Sequence, residues 1–144
     1  MREVIYIDTS VLAKWYINES RSDDVEEYIR LHGPMAISDL TVVEMRSLLA
    51  RRRREKSFNT KIEMEIFATF QEDVRGRFLV CHPFPDGLVA GAVNLMALLP
   101  DIPMTTLDAL HIVIAKEIAA EVLVTADYIM AEGAEASGLR VVRF

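Results

Sequence analysis

Asp8, Glu44, Asp108 and Asp127 are the side chains of this sequence best suited to chemistry, and they are scattered through 144 residues. Asp8 ends the apolar run Val4-Ile-Tyr-Ile7, Asp127 follows Val122-Leu-Val124 by three residues, and Asp108 falls two residues after Thr106. Each of these three has a plain structural reading beside the chemical one. Asp8 and Asp127 can be helix N-caps, and Asp108 can complement a helix dipole. Glu44 is harder to explain that way. Leu40 and Leu48 stand at i−4 and i+4 from it, which places its side chain on the apolar stripe of a helix. A carboxylate there is costly unless it is paired or binds a metal. Pairing with arginine is the bland alternative, but the neighbouring Arg46 and Arg51 point from other faces. If the four acids converge, they repel one another. Replacing Asp108 or Glu44 by its amide is then expected to leave the metal-free protein at least as stable as the parent. A divalent cation would remove the repulsion. Magnesium and manganese favour oxygen ligands, and such ions can activate a water and steady the leaving oxygen in phosphodiester hydrolysis.

The elements that would position these acids read as alternating strands and helices. Strands are expected at Val4–Ile7, Met35–Ile37, Phe78–Cys81, Val122–Val124 and Val141–Val142, from their β-branched and apolar content. Helices are expected from Asp8 to about Ile17, Ser22 to Leu31, Ser38-Asp39 to Arg54, and Thr60 to Gly76. Three more run from Gly87 to Leu99, Thr106 to Ala120, and Asp127 to Gly138. Thr60-x-x-Glu63 has the form of a capping box, and Asp86 and Thr106 are expected caps. Strands separated by helices of this length imply an α/β fold, a parallel sheet with helices on both faces. The site of such a sheet lies beyond the carboxyl ends of its strands. That rule points to Asp8, to Ser38-Asp39 and then Glu44, and to Asp127.

Composition narrows the class. Residues 1–144 fit one domain, and 51% hydrophobic residues can bury a core. No apolar run approaches the roughly 20 residues of a membrane span, and no signal-peptide pattern is present. A single cysteine, Cys81, lies in an apolar stretch and reads as core packing; a cytoplasmic protein is expected. The net charge of −6 is unusual for a nucleic-acid binder. Within residues 46–56, however, Arg46, Arg51, Arg52, Arg53, Arg54 and Lys56 face only Glu55, a local charge of +5 that leaves −11 elsewhere. A basic patch on an acidic protein is compatible with RNA. The run Arg51 to Arg54 turns by about 100° per residue in a helix, so its members cannot share one stripe. His111, three residues after Asp108, is expected to pack and hydrogen-bond rather than act as a base.

Four segments in this order resemble the PIN-domain ribonucleases, and among them the VapC-type toxins of toxin–antitoxin pairs. They are Val4-Ile-Tyr-Ile-Asp8-Thr9-Ser10-Val-Leu, Ser38-Asp-Leu-Thr-Val-Val-Glu44-Met-Arg46, Leu107-Asp108-Ala-Leu-His111 and Val124-Thr125-Ala-Asp127. The resemblance covers nearly the whole chain. It implies a PIN-like three-layer fold with a central five-stranded parallel sheet flanked by helices. It also implies Asp8, Glu44, Asp108 and Asp127 as catalytic residues and ligands of Mg2+ or Mn2+, with Ser10 and Thr125 in support. Its implied partners are an RNA substrate, a VapB-like antitoxin and a second copy of the chain, with no membrane. Arg46 and Arg51 are the expected substrate-binding cations. A non-catalytic PIN-like binding module is the alternative. A haloacid-dehalogenase-type phosphatase is disfavoured, because Ser10 stands where that chemistry usually has a second Asp.

Overall fold

A computed structural model describes residues 2–144. Five strands form one sheet: β1 (Ile5–Ile7), β2 (Met35–Ser38), β3 (Leu79–His82), β4 (Val122–Thr125) and β5 (Arg140–Arg143). Their order is β3-β2-β1-β4-β5, and every pairing is parallel. The strands are short apolar runs, and β1, β2 and β4 are buried throughout. Such runs suit the centre of a parallel sheet covered on both faces.

Seven helices cover the sheet: α1 (Thr9–Tyr16), α2 (Ser22–His32), α3 (Asp39–Arg54), α4 (Thr60–Arg75), α5 (Leu88–Leu98), α6 (Thr106–Glu117) and α7 (Tyr128–Ala136). Strand alternation divides the core in two. Ile5 and Ile7 of β1 face Val11, Leu12, Val25, Met45, Leu49 and Phe70 of α1 to α4. Tyr6, between them, joins the opposite core with Ile112, Ile114, Met130 and Ala134 of α6 and α7. The second layer is tight. A Cβ on Gly133 of α7 would lie 2.7 Å from the Met104 sulfur and 3.0 Å from Ile112 of α6, so a larger residue there would have to displace these side chains. Among the described residues, no helix is long and apolar enough to cross a membrane.

Several expected helix starts are shifted, each for a local reason. Asn59, not Thr60, caps α4 by accepting from the Ile62 amide. This leaves Glu63 free of the cap and buried against α3. The cap of α6 is Thr105 rather than Thr106, and that of α5 is Gly87 in the left-handed region (φ 75°) rather than Asp86. Phe78 lies outside β3 and is exposed.

Candidate active site

The strand order reverses beside β1: the chain passes to β2 and β3 on one side, then crosses to β4 and β5 on the other. At such a switch point the helices leaving neighbouring strands diverge and open a crevice at the carboxyl edge. Asp8 lies there, directly after β1, and its amide continues the ladder by donating to the Val124 carbonyl at 2.8 Å. Asp127 follows β4 on the other side of the crevice. Glu44 enters from the second turn of α3, and Asp108 from the first turn of α6. All four line one pocket, together with Thr9, Ser10, Ser47, Arg51, Thr105, Leu107 and His111.

The acids are held differently. Asp8 is buried, and its Oδ2 accepts from the Ser10 hydroxyl at 2.8 Å and the Thr125 hydroxyl at 3.1 Å. Burial is the main influence on this carboxyl and pushes it above the usual range, against the opposing pull of His111 and the Ser10 hydroxyl. Glu44 is half-buried. Burial alone would raise it, but His111 and the Thr9 hydroxyl, which donates to Oε1 at 2.8 Å, together outweigh burial and hold it below the usual range. Asp108 shares a capping box with Thr105. Its Oδ2 accepts from the Thr105 amide at 2.9 Å, and its own amide donates to Thr105 Oγ1 at 3.2 Å. Asp127 caps α7, with Oδ1 accepting from the amides of Ile129 and Met130 at 2.8 and 3.0 Å. Capping therefore occupies one oxygen of each of these two acids, while both residues still line the pocket.

The tightest group is Asp8, Glu44 and His111, each offering one ligand atom within 4.8 Å of the others. Asp108 and Asp127 stand outside that group. His111 is fully buried. Its Nε2 bonds Glu44 Oε1 and lies 3.9 Å from Asp8 Oδ1, while its Nδ1 is 2.7 Å from the Tyr6 hydroxyl. Tyr6 and Thr9 are parts of the site that the sequence reading passed over. Tyr6 reads as one more apolar strand residue; the one available signal is that a buried tyrosine hydroxyl needs a partner.

The two arginines expected at the substrate part company. Arg51 lines the pocket, is largely exposed, and stands 3.6 Å from Glu55. Arg46 does not line it. It pairs instead with buried Glu63 of α4, which also takes Arg53 at 2.6 Å, and it lies over the Phe67 ring. Arg52 turns to Glu19 at 2.8 Å. The basic run thus splays around the helix, as about 100° per residue demands.

The donor chemistry suits a hard divalent cation. Carboxylate oxygens from four elements meet at one open pocket, and one of them belongs to a buried aspartate whose ionised form burial disfavours.

The PIN domain family model matches residues 5–136. No curated protein matches the sequence closely enough to add a relative. Three solved structures share the fold at low identity. The VapC20 toxin of Mycobacterium tuberculosis, described as cleaving the sarcin-ricin loop, is 15% identical, with a TM-score of 0.73 over 97% of this chain and 99% of its own. FitAcB of Neisseria gonorrhoeae is 18% identical, with a TM-score of 0.66 over 97% of each chain. VapBC2 of Rickettsia felis, bound to a fragment of its promoter DNA, is 14% identical, with a TM-score of 0.67 over 98% of each chain. With the family model spanning all but the ends of the sequence, and the same fold in these structures, this chain belongs to the PIN domain family.

Proposed function

We propose that this chain is a metal-dependent endoribonuclease, the toxin of a VapBC-type pair, with residues 1–144 acting as a single PIN-like domain. The observation that carries the reading is the pocket at the carboxyl edge of the sheet, shared by Asp8, Glu44, Asp108 and Asp127. In this reading the four acids hold Mg2+ or Mn2+. A bound ion of this kind would make a coordinated water more acidic and a better nucleophile, and would supply a charge that steadies the leaving oxygen of a phosphodiester. The Ser10 and Thr125 hydroxyls fix Oδ2 of Asp8, which orients its carboxylate toward the pocket. Arg51, the lining arginine, is the cation that meets an RNA phosphate.

The antitoxin reading is supported by the fold shared with toxin–antitoxin complexes. In the same reading the protein is a cytoplasmic homodimer. Val89, Val93 and Met96 leave an exposed apolar stripe along α5, at helical spacing, that a second copy would cover.

Purified protein should cleave single-stranded RNA with added Mg2+ or Mn2+, stop with EDTA, and stop in Asp8→Asn. Cleavage that survives both EDTA and Asp8→Asn would remove the proposed mechanism.

A further inference from the structure

A polar chain crosses the top of the sheet from one helical layer to the other. It runs from Ser38 at the end of β2, through Tyr6 of β1 and His111 of α6, to Glu44 of α3. The Tyr6 hydroxyl oxygen lies 2.9 Å from Ser38 Oγ and 2.7 Å from His111 Nδ1, and His111 Nε2 bonds Glu44 Oε1. Tyr6, Ser38 and His111 are all fully buried. No side-chain polar atom is orphaned among the buried atoms of the described residues, so the chain satisfies itself without solvent.

The chemistry of the groups sets its direction at Glu44. The Glu44 carboxylate offers only lone pairs, and Oε1 already takes the Thr9 hydroxyl. The His111 nitrogen facing it must therefore carry the proton. At its other nitrogen, Nδ1, the ring meets the Tyr6 hydroxyl, a group that can both donate and accept. The Tyr6 hydroxyl in turn meets Ser38 Oγ. The ring cannot turn without breaking a bond at each end, and both breaks would strand polar groups inside the core.

We propose that His111 is a positioning residue for Glu44, held by Tyr6 with its Nε2–H on the carboxylate. With Thr9 it fixes Oε1 and leaves Oε2 to the pocket. His111 is then not itself a metal ligand, although Nε2 lies close enough to the two carboxylates to be counted with them. This rests on the reading of Glu44 as part of a nuclease site.

Two experiments test the proposal, one independent of activity. Long-range 1H–15N correlation of the imidazole in 15N-labelled protein should show His111 protonated at Nε2 in EDTA and equally in Mg2+. A ring without a proton at Nε2, in EDTA or once Mg2+ is added, would overturn it. In the second, Tyr6→Phe keeps the ring in the core and removes only the hydroxyl. It should lower kcat on single-stranded RNA and weaken Mg2+ binding by about tenfold or more, the range found for partners of metal ligands, with KM for RNA unchanged. His111→Gln, whose amide can still donate to Glu44, should retain more activity and Mg2+ affinity than His111→Leu. Equal losses in Gln and Leu, tracking thermal stability alone, would reduce His111 to packing. A parent protein with no metal-dependent cleavage would instead strike the nuclease reading, while the Nε2–H measurement would still decide the bond from His111 to Glu44.

Discussion

Asp8 and Glu44 border the same pocket, yet their surroundings pull them in opposite directions. Burial raises Asp8, so its folded carboxyl holds a proton at pH values where the unfolded one, near the ordinary value of about 3.9, has lost it. Stability then falls as pH climbs from that value through the raised one, and the cost persists at neutral pH. Glu44 is lowered by His111 and Thr9, which outweigh its burial. Its ionised form contributes stability above the ordinary glutamate value, and that contribution is lost as pH drops through the lowered one. The expectation that an amide at Glu44 relieves the metal-free protein is therefore reversed, while the buried Asp8, which that expectation did not include, gains from losing its charge. In EDTA at neutral pH, Asp8→Asn should melt at or above the parent. Glu44→Gln should melt below it, by about 1 kcal/mol, the margin between a charge-assisted and a neutral hydrogen bond. With Mg2+ at a hundred times its dissociation constant the parent should gain about 2.7 kcal/mol, and both variants much less. Thermal melts of the three proteins in EDTA and in Mg2+ measure this. Parallel gains in all three would mean that these carboxylates do not share a metal.

Helix α3 carries two jobs on different faces. Glu44 and Arg51, seven residues apart, both reach the pocket, while Arg46 and Arg53, also seven apart, clasp Glu63 of α4. Seven residues are close to two helical turns, so each pair lies on one face, and the expectation that Arg51 points from a face other than that of Glu44 is corrected. Glu63 is a buried carboxylate whose two arginines are each about a third exposed, 34% and 37%. Removing one leaves the other, and solvent weakens both pairs. Arg46→Gln should therefore cost about 1 kcal/mol of stability and leave RNA affinity as it was. Arg51→Gln should do the reverse. In an Asp8→Asn background, which prevents cutting, it should weaken single-stranded RNA binding and reduce the slope of log affinity against log salt by about 0.7, one phosphate contact. Fluorescence anisotropy across a salt series, with melts alongside, separates the two. Weaker RNA binding in Arg46→Gln and none in Arg51→Gln would exchange their roles.

At the scale of the molecule, the surface is mixed in a way a lone domain does not require. The chain is acidic overall, with its basic run on α3, while α5 turns Val89, Val93 and Met96 outward. Apolar side chains at that spacing form a stripe rather than scattered single exposures. The proposed homodimer gives it a use. Light scattering should return a dimer mass for the parent and a monomer mass for the Val89→Lys, Val93→Lys double variant, with the same far-ultraviolet circular dichroism. A monomeric parent would remove the dimer from the reading, and a dimeric double variant would move the interface away from α5.

Much of this organisation is local and therefore legible in the linear sequence. Val122 to Val124 and Ile5 to Ile7 are apolar runs too short for helices and bounded by helix starts, which is enough to predict parallel strands with covered faces. The carboxyl-edge rule then picks out Asp8 and Asp127, and the apolar neighbours of Glu44 mark it because helical periodicity is a short-range property. Caps depend on one or two residues of backbone geometry, so Thr105, Asn59 and Gly87 displaced the expected Thr106, Thr60 and Asp86. What only the tertiary structure decided are pairings between distant segments. Glu63, 17 residues from Arg46, draws that arginine away from the pocket. Tyr6 meets His111 across 105 residues, and His111 meets Glu44 across 67. No periodicity or spacing encodes such contacts. They follow from which strand face Tyr6 occupies and from the strand order that brings α3 and α6 to the same edge of the sheet, and the contact with His111 helps keep Glu44 ionised.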